Sequence, residues 1–551
     1  MDTGRFLLAV VLMIGVIIVT NLLFPPIPSQ DPAVPADSVQ VVDTAVPPAA
    51  GPDLGQAPAP APPDADIDTV ARVDAVPEAD TVWVESELYR YGISTAGASL
   101  VSARLEQYKS FTREGPVELA VPDGPPLAAM SIQVGENALD LRRLIFVLDT
   151  AAAGGAESAV ALRHSDPAGR FTVLVRYDFD PQHYLAHVRV EVSELGGEEI
   201  LLLHLPSTLA INEIRPEEDH RALAYVVNGT RTGIRSVPLD DVDSRRVEEG
   251  PLTWIALKNK YFLVAALNDP GVEAPFGGLI AEPLAARYSA GLTATLTGRA
   301  NVFSFRLYMG PQEYSRLSSI GDDLADVNPY GWKIFRPIIR PFAHMVLWAL
   351  DGMHDVLGIG YGWVLILFGV LVRIALWPLN SKAMRSQLKT MELQPLLKEI
   401  QTKYKNEPEK LQREMVRLYK EEGFNPLGGC LPLLLPWPIL ITLFFVFQST
   451  IAFRGQGFLW LPDLSQPDPL YILPLLMGAS IFALQWLNLR VNPDPTPQMK
   501  MLTYFMPIML VVLFLNFASG LNLYYATSNV ASLPQQLQIM SERKKVRRRM
   551  A

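Results

Sequence analysis

One arginine, Arg373, lies inside the apolar run Tyr361–Leu379, which reads YGWVLILFGVLVRIALWPL. As a helix rising ~1.5 Å per residue, such a run extends about 28 Å, close to the ~30 Å hydrocarbon core of a bilayer. A guanidinium near the centre of a span costs roughly 3 kcal/mol on insertion scales. A group held there at that cost attracts an anionic or strongly polar partner, or stands in water. The alternative is a snorkel, in which the side chain stretches about 10 Å toward the nearer membrane surface.

The partner decides between the two. The apolar runs Leu431–Thr450, Tyr471–Leu489, Met501–Phe517 and Leu521–Gln536 contain no Asp, Glu or His, so none supplies a counter-charge. They supply neutral polar groups instead: Thr442, Gln448, Gln485, Asn516, Asn522, Tyr524, Tyr525 and Ser528. Such residues join helices by hydrogen bonds in lipid. Beside an unpaired arginine, their number favours a wet groove within a helical bundle. The run Met501–Phe517, about 25 Å long as a helix, is joined to the next at Ser519-Gly520. A short span thins the bilayer locally, and a thin bilayer beside a polar groove lowers the barrier to moving polar peptide across.

Five such runs need a consistent topology. Phe6–Phe24 is a further apolar segment, followed by Pro25, Pro26 and Pro28 rather than a small-residue cleavage site, and it reads as an uncleaved signal anchor. With its N-terminus inside, the Lys/Arg-rich loop 381–428, the loop 490–500 and the tail Arg543–Arg549 (RKKVRRR) all fall in the cytoplasm, while the outer loop 451–470 carries a single base, Arg454. That is the positive-inside distribution. Trp332–Leu350 is the exception among the apolar stretches. Lys333, Arg336, Arg340 and His344 recur at helical spacing and make one basic stripe, so an amphipathic helix at the outer interface is expected over 332–350.

Composition narrows the chemistry. The 551 residues are 49% hydrophobic with a net charge of −10, and that charge is segregated. Residues 25–80 hold ten acids, one base and 13 prolines, a linker too polar to build a core, whereas the C-terminal tail is purely basic. The tail suits anionic lipid or a ribosome better than a specific nucleic-acid sequence. With one cysteine, Cys430, no intrachain disulfide can form, and HExxH, CxxC and GxxxxGK[ST] are all absent. No metal, nucleotide or other cofactor is expected, nor an enzyme. An intramembrane protease would need acids or histidine in the spans, and a small-solute transporter would be expected to carry repeats or broken helices.

The segment 81–325 reads as β. In Phe171–Phe179 the odd positions are apolar; after Asp180-Pro181-Gln182-His183 the even positions Tyr184 to Val192 are apolar. Two period-2 strands around a turn form a hairpin with one buried face, and recurring short runs predict an antiparallel sandwich. Between the spans, 381–424 reads as a helical hairpin, with Leu388 and Met391 on one apolar stripe and Leu411 and Met415 on the other; Pro395 is expected to kink its first helix.

Several strings carry a specific likeness. Asn425-Pro426-Leu427-Gly428-Gly429-Cys430 enters an apolar span, Arg373 precedes Trp377-Pro378-Leu379, Leu461-Pro462-Asp463-Leu464 is followed by Tyr471-Ile472-Leu473-Pro474, and Ser519-Gly520-Leu521 by Tyr524-Tyr525 and Ser528-Asn529. Together they resemble the YidC/Oxa/Alb membrane insertases over roughly 330–540. The anchor and β region look like the Gram-negative arrangement of that family; the linker is longer, and Asn516 and Asn522 stand where apolar residues are usual. The resemblance implies six spans, five forming an insertase core, with a periplasmic β sandwich and both termini cytoplasmic. It implies insertion and folding of nascent inner-membrane proteins, alone or with the Sec translocon, and without a cofactor. On that reading the hairpin receives the nascent chain, Arg373 draws its polar tail into the groove, and ribosome and lipids are further partners. A late-acting assembly chaperone is the nearest alternative.

Overall fold

The computed structural model describes residues 79–156, 158–193, 199–269, 276–298, 301–328, 336–404, 407–421, 436–491 and 497–550. The signal anchor, linker residues 25–78, Lys333 and the string Asn425–Cys430 lie outside the described residues.

The β region is antiparallel throughout: a four-stranded sheet begins at Thr81–Glu85, and a fourteen-stranded sheet ends at Val302–Pro311. The alternation at 171–192 is realised as strands Thr172–Phe179 and Leu185–Ser193, registered Val188 to Tyr177 and Val190 to Val175. Their apolar positions are buried, and their outward residues form surface pairs such as Arg176–Asp178 and Arg189–Glu191. Large aromatics fill the space between the sheets. Tyr89 and Tyr91 stack at 4.0 Å, and the Tyr91 hydroxyl donates to the Met309 carbonyl at 2.6 Å, so its polar tip is satisfied inside the core. The β sandwich expected from sequence is present.

Among the described residues, seven helices follow: α1 (Arg336–Leu357), α2 (Tyr361–Lys403), α3 (Pro408–Glu421), α4 (Pro436–Ser449), α5 (Ile472–Val491), α6 (Pro497–Phe514) and α7 (Ser519–Met550). α7 packs along α2 and α5, α6 along α5, and α1 along α4. Among the described residues, one helical segment, Tyr361–Pro378, is long and apolar enough to cross a membrane; Ile472–Leu487 and Thr503–Phe514 are shorter apolar helices.

Two features depart from the sequence expectation. α2 runs through its apolar part and on through position 395 without interruption, so the first arm of the hairpin continues the span. Strong helix formers such as Ala, Met, Gln, Leu, Lys and Glu follow Asn380 and sustain it. The basic stripe of α1 also has protein partners. Arg340 and His344 pair with Asp326, and Arg340 also reaches Asp323, at the foot of the β domain. The adjoining face of α1 buries Ile339, Ala343, Val346 and Leu350, while Met345 and Trp348 are exposed, so the helix is amphipathic as expected.

Two separate apolar cores result. One fills the β domain; the other joins α1, α2, α4, the loop after α4 and α7.

Candidate functional site

Arg373 sits twelve residues into α2, about 18 Å from the start of the helix. Its side chain is half-buried, its Nε has no hydrogen-bond partner, and no carboxylate pairs with it among the described residues. α7 runs beside it. Gly369 faces it: a Cβ there would make ordinary van der Waals contact, 3.5 Å from Thr527 Cγ2 and from Tyr524 Cδ2. Close packing at that point brings Tyr524 within electrostatic reach of the Arg373 guanidinium, and Ser528 within hydrogen-bonding reach of the Tyr524 hydroxyl. One turn further on, Gln535 Nε2 donates to the Trp377 carbonyl at 3.2 Å, and Asn529 donates to Ser480 of α5 at 3.1 Å. Arginine, tyrosine and serine therefore line one seam between α2 and α7.

The remaining sequence candidates separate by depth. Gln485 lies thirteen residues into α5, about 20 Å along its axis. Thr442 is fully buried in α4 with its hydroxyl unpaired. Tyr525 packs edge-on against Phe514 at 5.4 Å and Tyr524 at 5.6 Å. Gln448 is one residue from the end of α4, next to the β domain. Asn522 is buried at the start of α7 and donates to the Phe514 carbonyl at 3.1 Å, closing the α6–α7 turn. Asn516 lines a cavity of about 410 Å³ with Phe111, Ile214, Asp463 and Tyr471, at the β-domain end. The structure thus places Tyr524 beside Arg373 and Ser528 beside Tyr524, sets Gln485 about as far along α5 as Arg373 is along α2, and sets Gln448, Asn516 and Asn522 at the far end of the bundle. Leu411 and Met415 are half-buried on α3; the side chains of Leu388 and Met391 lie outside the described residues.

That far end is closed by the loop between α4 and α5, which sequence reasoning treated only as an outer connection. The Ser519 and Gly520 amides donate to the Gln466 and Leu464 carbonyls at 2.7 and 2.9 Å, and the Ser519 hydroxyl donates to the Asp463 carbonyl at 3.1 Å. Asp468 is fully buried. Its carboxylate accepts from Leu473 N at 2.7 Å, Leu470 N at 3.0 Å and Trp460 Nε1 at 3.1 Å. It thereby satisfies the Leu473 amide in the first turn of α5 and the Leu470 amide just before it. An acid four residues before an apolar helix is a start signal legible in sequence.

The same loop meets the β domain. Arg454 and Glu213 pair at 2.7 Å, and both side chains are almost fully buried (4% and 3% exposed). Burial raises the Glu213 carboxyl to about 7, and Arg454 limits the rise. Behind them, Lys260 pairs with Glu218 at 2.7 Å, and burial brings Lys258 down to about 8 despite the nearby Asp219.

The arrangement is a helical bundle with a half-buried, unpaired cation, sealed at one end by a hydrogen-bonded loop beneath a β domain. Among the described residues no His, Cys, Asp or Glu cluster suits a metal. Comparison with known proteins agrees with this architecture. A family model described as "60Kd inner membrane protein" matches residues 352–546, and one described as "YidC periplasmic domain" matches residues 81–345. The chain is 33% identical over 492 residues to a membrane protein insertase YidC from Chlorobium phaeovibrioides, covering 83% of each chain, and 31% identical over 487 residues to that of Chlorobium limicola, covering 84% and 83%. A solved structure described as an active YidC insertase is 18% identical, covering 83% of this chain and 92% of that one, at a TM-score of 0.33. A relative at this identity over most of both chains, with matches to both of the family's regions, places the chain in the YidC family of inner-membrane insertases, which insert proteins into the membrane.

Proposed function

We propose that insertion proceeds through a hydrophilic groove, open toward the cytoplasm, whose deepest charged group is Arg373. The observation that carries this reading is the half-buried guanidinium with an unpaired Nε beside Tyr524. A buried donor without an acceptor is costly unless water or a ligand satisfies it. A polar or acidic tail of a nascent protein supplies such an acceptor, and Ser528, Tyr524 and Gln485 offer further hydrogen bonds at similar depth. The apolar segment of the substrate then leaves sideways into lipid, driven by its own burial.

Six spans with both termini cytoplasmic complete this reading; α2 carries directly into the hairpin, so a chain docked on α2 and α3 is fed toward Arg373. Ribosome contact through the basic tail and cooperation with the Sec translocon belong to the same proposal. The test is Arg373→Ala and Arg373→Lys in cells depleted of their own insertase. Insertion of single-span substrates with acidic tails should slow in Arg373→Ala and largely recover in Arg373→Lys. Wild-type rates for both variants with every substrate would remove Arg373 from the mechanism.

A further inference from the structure

We propose that Arg454 is a positioning residue: with Glu213 it forms a buried latch that fixes the β domain to the loop sealing the periplasmic end of the bundle. The inference is independent of the role given to Arg373.

The loop between α4 and α5 belongs to both halves of the molecule. Ile451 lies in the apolar core of the β domain, whereas Phe453, Phe458, Leu461 and Leu464 lie in the core of the bundle. Arg454 follows at that crossing point. Its Nε donates to Glu213 at 2.7 Å and its Nη2 lies 3.4 Å from the Asn212 carbonyl. Its guanidinium carbon stands 4.3 Å from the Phe111 ring centre and 5.5 Å from that of Phe262. An arginine held by two aromatic rings and a carboxylate, away from water, has a single well-defined position. It is also the only base in the loop 451–470.

The β-domain side of the seam is equally fixed. Asn212 donates through Nδ2 to the Glu118 and Ala210 carbonyls at 2.9 and 3.0 Å, its amide lies 3.5 Å from Asp219, and Lys260 ties Glu218 to the strand hairpin below. Further along the same loop, the Gly520 amide meets it at Leu464 and the Ser519 amide at Gln466. Rigidity is therefore handed from the β sandwich through Glu213 and Arg454 to the carbonyls that close the α6–α7 turn. The periplasmic domain becomes a brace for the seal.

Hydrogen–deuterium exchange on the full chain in nanodiscs tests this with wild type, Arg454→Met, Glu213→Leu and the double variant. Each single variant should speed exchange of the amides of residues 456–468 at least tenfold while strands Thr172–Phe179 and Leu185–Ser193 keep their protection. The double variant should be no faster than the faster single one, because one contact is lost in all three. Should Arg454→Met also unprotect those strands, Arg454→Lys and Glu213→Gln decide: both should speed the loop alone, by less than tenfold. A loop unchanged in the single variants, or single effects that multiply in the double, overturns the latch.

Discussion

Replacing Asp468 by alanine should loosen the loop that closes the β-domain end of the bundle without unfolding the β domain. The carboxylate is fully buried and accepts three N–H groups, from Leu470, Leu473 and the Trp460 indole. Losing the helix cap costs about 1 kcal/mol. Losing the bond from the part-exposed Trp460 indole N–H to a charged acceptor adds about 2 kcal/mol. Their sum, about 3 kcal/mol, corresponds to roughly a hundredfold increase in local opening. Hydrogen–deuterium exchange at the Leu470 and Leu473 amides reads this directly, with Trp460 emission as a second probe. Asp468→Asn should fall between: its carbonyl can still serve Leu470 and Trp460, but its amide faces the Leu473 N–H as donor against donor. Exchange in Asp468→Ala within twofold of wild type would refute the reasoning, since the three hydrogen bonds would then hold nothing closed.

Two further outcomes follow from packing and burial. Lys258 titrates near 8 in the folded chain, below its unfolded value, so burying it charged destabilises the fold most below that pH, and stability recovers as pH rises through 8 toward the unfolded pKa. Lys258→Met should therefore raise the melting temperature at pH 7, by an amount reflecting roughly 3 kcal/mol, and the gain should shrink toward pH 10; a gain constant across that range contradicts it. Gly362 lies under Phe458, where a Cβ would stand 2.1 Å from Cδ2. Gly362→Ala should destabilise the bundle by about 1–2 kcal/mol in thermal melts, overpacking outweighing the helix-propensity gain, and become neutral or stabilising in a Phe458→Ala background.

Much of this was legible in sequence, for definite reasons. Alternation at 171–192 fixes which side chains face inward, and the strands follow it apart from Leu185, which is buried out of phase at the turn. The isolated charge at 373 needed only the length of its apolar run to stand out. Depth was not legible. Gln485 and Asn516 are both neutral amides near the ends of apolar runs, yet α5 and α6 cross the bundle in opposite directions, so one lies about as far along α5 as Arg373 is along α2 and the other lines a cavity beneath Phe111 and Ile214. The partner of Arg454 was also hidden, because Glu213 lies 241 positions away and nothing local marks it as buried. In sequence the span and the first arm of the hairpin read as separate elements meeting at Asn380, although the residues that follow favour helix and α2 runs through both.

On the proposed reading these parts form one device: a β domain braces a loop, the loop closes one end of a helical bundle, and Arg373 stands inside it. Site-specific photocrosslinking of ribosome-stalled nascent chains addresses that arrangement at its centre. With photoreactive residues placed at Ser528 and Gln485, the acidic tail of a single-span substrate should crosslink to both, and the adducts should fade in Arg373→Ala. Adducts confined to outward-facing positions such as Ile508 and Leu475, with none at Ser528 or Gln485, would contradict passage beside Arg373.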